Sequence, residues 1–220
     1  MSDMNETKQD QAPGQAPRQT LDERIAEHKA KLQEAPECGM THYNLGVALL
    51  AKGDWHAAER SFRLATENSP TLVEAYVQLG GIAMQRGDLD GCLNYNKLAI
   101  EGRPMFAPAW GNIGFVHLQQ GEVNQAAKAL ERAVKLDPNF IQALATLGSV
   151  YLMENDPERC LTVCKRAVEQ EPKFGPAWNQ MAIAHLQLEQ HAEAVEAIDK
   201  ALETGFEVHE KLLEEINQYR

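Results

Sequence analysis

The sequence predicts an all-α fold, a solenoid of stacked helix-turn-helix units. Two observations carry that prediction. Small residues recur every 34 positions, as Gly46, Gly80, Gly114, Gly148 and Ala182, then Ala58, Cys92, Ala126, Cys160 and Ala194, then Ala65, Ala99, Ala133, Ala167 and Ala201. A proline series keeps the same spacing: Pro36, Pro70, Pro104, Pro138 and Pro172. Self-similarity at such a period marks an array of like supersecondary units.

Each unit carries two apolar stripes of helical period, at 40–52 and 55–68 in the first. Gly53, Gly87 and Gly121 sit between the stripes, where a turn is needed. Asp54, Asp88 and Asp156 follow as N-caps, and Pro157 suits a first helical turn. Thr71 with Glu74, and Asn139 with Gln142, have capping-box spacing at the next first helix. Small residues at 46, 58 and 65 let helices approach, and Leu45 and Phe62 fill the space beside them. One hairpin cannot bury both faces, so neighbours must stack.

The expected units are 39–72, 73–106, 107–140, 141–174 and 175–208. Residues 21–36 form an N-terminal capping helix with Leu21, Ile25, His28 and Leu32 on one face. Residues 208–220 form a C-terminal capping helix with Val208, Leu212, Ile216 and Tyr219 on one side. Residues 1–20, rich in Gln and Pro, read as a disordered tail.

The third unit gives Trp110, Ile113, Gly114, His117, Ala126, Leu130, Ala133 and Pro138. The fourth gives Leu144, Leu147, Gly148, Tyr151, Cys160, Cys164, Ala167 and Pro172. This pattern resembles the tetratricopeptide repeat over residues 39–208. The resemblance implies a right-handed superhelix whose first helices line a concave face. Ala182 for glycine, Phe206 for proline and Asn96 for a large apolar residue depart from the pattern.

Net charge is −11, with a pI near 5.1. That balance argues against nucleic acid and against an anionic membrane surface. It fits a solvated outer face, or a basic partner. Four cysteines without C-x-x-C spacing fit a reducing, cytoplasmic compartment. No apolar run reaches transmembrane length, and residues 1–20 hold neither a signal core nor a cysteine for a lipid anchor.

No nucleophile motif, phosphate loop or zinc-protease helix motif occurs, so the chain reads as non-enzymatic and free of cofactors. His117 and His185 occupy the tyrosine position of the repeat and His42 the tryptophan position, where a packed imidazole with one hydrogen bond is expected. Cys160 and Cys164 lie four apart on one helical face. With His185 they are the nearest approach to a metal set, and Cys92 and His117 repeat the arrangement. Their positions are core positions, where free cysteine packs as a small apolar residue, so no metal is expected.

In the family resembled, unit positions 2, 5, 6, 9, 12 and 13 face the concave side. They give Met40, Tyr43, Asn44, Val47, Leu50 and Ala51, then Glu74, Val77, Gln78, Gly81, Met84 and Gln85. Next come Pro108, Gly111, Asn112, Phe115, Leu118 and Gln119, then Gln142, Ala145, Thr146, Ser149, Leu152 and Met153, then Pro176, Asn179, Gln180, Ile183, Leu186 and Gln187. Only Glu74 is charged. The basic clamp some members use on a C-terminal carboxylate is replaced by Tyr43, Pro108 and Asn112. Asn44, Gln78, Asn112, Thr146 and Gln180 form a polar series, similar to an asparagine ladder gripping a peptide backbone. Small residues at 81, 111 and 145 leave room beside Met84, Phe115, Leu118, Leu152 and Met153 for an apolar pocket.

The function expected is a scaffold or adaptor binding a peptide or amphipathic helix in this groove. Tyr43, Asn44, Val47, Gln78, Gly81, Met84, Gly111, Asn112, Phe115, Gln119, Thr146, Ser149, Met153, Asn179 and Gln180 are the candidate contacts. A self-assembling structural protein, a cytoplasmic chaperone for a secretion or assembly client, and a cysteine-borne metal or redox role are the alternatives.

Overall fold

The computed structural model describes residues 19–220. The tail expected over 1–20 lies outside the described residues, except for its last two. Thr20 belongs to the fold, because it caps the first helix in a reciprocal box with Glu23.

The described residues form twelve α-helices in order: α1 Leu21–Glu34, α2 Gly39–Ala51, α3 Trp55–Asn68, α4 Val73–Gln85, α5 Leu89–Gly102, α6 Ala107–Gln119, α7 Val123–Leu136, α8 Ile141–Met153, α9 Pro157–Gln170, α10 Gly175–Gln187, α11 His191–Glu203 and α12 Glu210–Asn217. Helices α2 to α11 form five hairpins, and each hairpin packs on the next through its second helix and the neighbour's first. First helices also touch one another from α4 to α10, whereas second helices make no comparable contact among themselves. The first helices therefore crowd the inner side of the curve.

The turn inside each hairpin uses a left-handed residue. Gly53, Gly87 and Gly121 have φ of 85°, 77° and 76°. The 34-residue ruler then lands on Asn155 at 57° and Glu189 at 58°, so the last two units make the same turn without glycine. The carboxylates of Asp54, Asp88 and Asp156 accept from the backbone N–H of Ala57, Gly91 and Arg159, as N-caps should.

The capping boxes expected at Thr71 and Asn139 do not form. The N-caps of α4 and α8 are Leu72 and Phe140, with no side-chain cap bond. Phe106 and Phe174 hold the same position before α6 and α10. An apolar N-cap position is spent on packing between units. Glu74 instead pairs with Arg103.

The spine is built by close approach. A Cβ on Gly46 would stand 2.7 Å from the Phe62 ring, and one on Gly114 would stand 2.5 Å from Leu130. The three small-residue series at 58–194, 65–201 and 46–182 are buried throughout. At the front, Ile25 and Leu32 of α1 join the cluster of Leu45, Leu49 and Phe62, while Leu21 stays exposed. At the back, Ile216 and Val208 are buried and Tyr219 stacks on His191 at 3.7 Å. Phe206, in place of the fifth proline, packs on Gly175.

Candidate peptide-binding groove

All fifteen candidate residues stand on the first helices. Tyr43, Asn44 and Val47 are on α2; Gln78, Gly81 and Met84 on α4; Gly111, Asn112, Phe115 and Gln119 on α6; Thr146, Ser149 and Met153 on α8; Asn179 and Gln180 on α10. Five of them, Met84, Gly111, Asn112, Phe115 and Thr146, meet in one cleft of about 160 Å³. Phe140, Gln142 and Ala143 complete its lining. The cleft carries no charged side chain.

The room at Gly111 is already used. A Cβ there would lie 2.7 Å from the Phe140 ring, which reaches in from the loop before α8. Ala145 is buried. The expected vacancy at 111 and 145 is thus filled by the protein, whereas Gly81 faces open space. The pocket is framed by Phe140 as much as by Phe115. The signal for it was the apolar run Leu72, Phe106, Phe140, Phe174 on the same ruler.

The polar series is not a uniform ladder. Asn112 donates to Asn96 Oδ1 at 3.1 Å, and Asn96, fully buried, donates to the Cys92 carbonyl. Cys164 Sγ donates to Gln180 Oε1 at 3.1 Å, and Gln180 Nε2 donates to Ser149 Oγ at 2.6 Å. Thr146 bonds back to the Gln142 carbonyl of its own helix. Gln78 lies beside Tyr43, whose phenol is pushed up by burial and by the nearby Glu74 carboxylate. Each amide is half-buried and keeps part of its hydrogen-bonding capacity. Asn44 is also half-buried, and Asn179 Oδ1 lies buried without a partner among the described residues. Met153 and Gln119 are exposed at the rim. Val47 and Tyr43 pack with the first-unit core, Tyr43 tilted on Phe62 at 5.8 Å.

Glu74 Oε1 accepts from Arg103 at 2.7 Å, so the groove's one charge is paired on the spot. Three histidines at repeat positions each make one bond: His42 to the Pro36 carbonyl, His117 to Glu122, His185 to Gln190. Cys160 and Cys164 lie with their sulfurs 3.8 Å apart, fully buried, and the hydrogen bond to Cys160 together with burial raises the Cys164 thiol. Among the described residues, no three of His, Cys, Asp and Glu converge as metal ligands do.

Three tetratricopeptide-repeat models match the chain, over residues 24–92 in two overlapping stretches, 117–179 and 175–204. The chain belongs to the tetratricopeptide-repeat family. Among solved structures, this repeat protein is similar to MamA, with 25% identity, a TM-score of 0.62, and 73% of this chain and 94% of that chain covered. YrrB, described as a TPR protein with an unusual peptide-binding site, is 18% identical with a TM-score of 0.68, covering 88% and 99%. PilF of Pseudomonas aeruginosa is 18% identical with a TM-score of 0.71, covering 84% and 87%. These likenesses are likenesses of fold. No curated protein matches the sequence. Tetratricopeptide repeats serve as protein-interaction scaffolds, and among the described residues no helix is long and apolar enough to cross a membrane.

Proposed function

We propose that this protein is a non-enzymatic cytoplasmic adaptor that holds an extended peptide or an amphipathic helix along the first helices. The carrying observation is the uncharged cleft of about 160 Å³ bounded by Met84, Phe115 and Phe140. An apolar side chain of the partner fills it, and the adaptable Met84 wall follows its shape. Asn112 and Thr146, at the cleft's edge, offer remaining donors and acceptors to the partner's backbone. With no unpaired charge in the cleft, selection rests on shape and apolar area.

The test is selection of displayed random peptides on the native protein, then on a Phe115→Ala, Met84→Ala variant. Peptides sharing one apolar anchor should emerge and lose about tenfold or more in affinity on the variant, a change of about 1.4 kcal/mol. Peptides that bind both proteins equally would remove the cleft from the reading.

A further inference from the structure

The first unit departs from units three and five at two positions that meet on the outer side of the array, although unit two shares its leucine at the second of them, as Leu98. At unit position 4 the chain has His42, where Trp110 and Trp178 stand in units three and five. At position 26 it has Leu64, where Arg132, Arg166 and Lys200 stand in units three to five. In unit five these positions hold a stacked pair, Lys200 Nζ lying 4.6 Å over the Trp178 ring. In unit one no such pair forms. His42 and Leu64 instead line an open cleft of about 390 Å³ between the capping helix α1 and α3.

The floor of that cleft is apolar, from Leu45, Leu49 and Leu64, and its rim carries Lys29 and Arg60. Neither cation is in an ion pair among the described residues, whereas Lys31, Lys52, Arg63 and Arg86 nearby are all paired. The one acid at the cleft, Asp54, is already committed to the Ala57 backbone N–H. His42 is only 8% exposed, and its Nδ1 is buried without a hydrogen-bond partner among the described residues. In a chain of net charge −11, an apolar cleft rimmed by two unpaired cations is a local reversal of sign.

We infer that this cleft is a second docking site, outside the concave groove, for an acidic, leucine-rich segment of a partner protein. A branched apolar side chain lies on Leu45, Leu49 and Leu64, and flanking carboxylates pair with Lys29 and Arg60. Half-open clefts of this size suit one or two side chains of a surface segment. The site gives the adaptor two attachment points, so a partner with both motifs gains avidity.

The probe is a fluorescein-labelled peptide, Glu-Leu-Leu-Glu-Leu, measured by anisotropy at low salt beside its lysine counterpart, Lys-Leu-Leu-Lys-Leu. The acidic peptide should bind about tenfold tighter, with an affinity that falls as salt rises. Lys29→Glu with Arg60→Glu should remove most of that binding. Leu64→Arg, which installs the residue of units three and four, should weaken it about fivefold or more. All three changes are on the surface, and circular dichroism checks that helicity is kept. Phe115→Ala should leave it unchanged, which separates this site from the groove. Equal binding of the two peptides, or indifference to all three cleft changes, would overturn the inference. Sensitivity to Phe115→Ala would place the probe in the groove and overturn it as well. A concentration-dependent dimer broken by Leu64→Arg would assign the cleft to a second copy and overturn it too.

Discussion

The indole N–H of Trp178 donates to the Pro172 carbonyl at 2.9 Å, six residues back, across the joint between two units. Trp110 repeats the bond to Pro104, and His42 Nε2 makes its equivalent to Pro36. In unit four, where Leu144 has no donor, the Arg166 guanidinium reaches the Pro138 carbonyl instead. The proline series thus supplies a row of carbonyls after the second helices, and most units find a donor for them. Trp178→Phe keeps an aromatic ring, smaller than the indole, and removes the donor. It should cost about 1 kcal/mol, read as a lower urea midpoint at constant slope. An unmoved midpoint would mean that the bond contributes nothing.

Asn112 and Asn96 tie α6 to α5 through a bond in which both partners are replaceable. Asn96 is fully buried and also serves the Cys92 carbonyl, so Asn96→Ala should cost about 2 kcal/mol through lost bonds and a cavity. A double-mutant cycle with Asn112→Ala should show about 0.5–1.5 kcal/mol of coupling. Additive losses would show that the two amides act independently.

The same pair shows where the sequence was legible. The 34-residue ruler read out the alternation of helices and turns, the buried small residues and the place of Asn112, Phe115 and Gln180 on first helices. It did so because those depend on position within one unit. It could not say which way an amide turns. Asn112 answers to Asn96, and Gln180 to Cys164, because position 6 of one unit meets position 24 of the unit before. Asn96, a departure from the repeat pattern, is a hydrogen-bonding partner. Phe140 entering the space at Gly111 belongs to the same class of fact. A packing relation between units has no local spacing to betray it. Helix α1's first residue, Leu21, falls on the apolar face by spacing yet is exposed.

Two helical glycines with opposite surroundings give a matched test. Gly81 has nothing within 4 Å of an added Cβ, and its helix would lose the entropic penalty of glycine. Gly81→Ala should stabilise by about 0.5–1 kcal/mol. Gly114→Ala would drive a methyl to 2.5 Å from Leu130 Cγ and 3.2 Å from its backbone nitrogen, so it should destabilise by about 1–3 kcal/mol. Thermal melts of the two variants should move in opposite directions. Stabilisation of both would show that glycine's entropy, rather than space, sets the outcome, and destabilisation of both would remove the entropic gain expected at Gly81.

Asp156 joins a cap to an ion pair. The Arg159 guanidinium, with help from the Arg159 backbone N–H, holds its carboxyl below the usual range. A folded pKa below the unfolded one means stabilisation that is present above about pH 4 and lost as pH falls through the folded value. Asp156→Ala should therefore cost about 1 kcal/mol at neutral pH, and the gap from the native protein should shrink in acid. A gap independent of pH would separate the cap from the charge.

Glu189 occupies the turn between α10 and α11 with φ of 58°, where units one to three place glycine. A side chain in that region is strained by the approach of Cβ to the backbone, whereas glycine adopts it freely. Glu189 is exposed and its side chain makes no ion pair among the described residues, so little is lost with it. Glu189→Gly should stabilise by about 1 kcal/mol, the relief of strain outweighing the added freedom of the unfolded chain. Asn155→Gly, at 57°, should gain less, because asparagine tolerates this conformation better than glutamate. Chemical denaturation of the two variants gives the order directly, and a larger gain at Asn155 would mean that backbone strain is not what distinguishes the two turns.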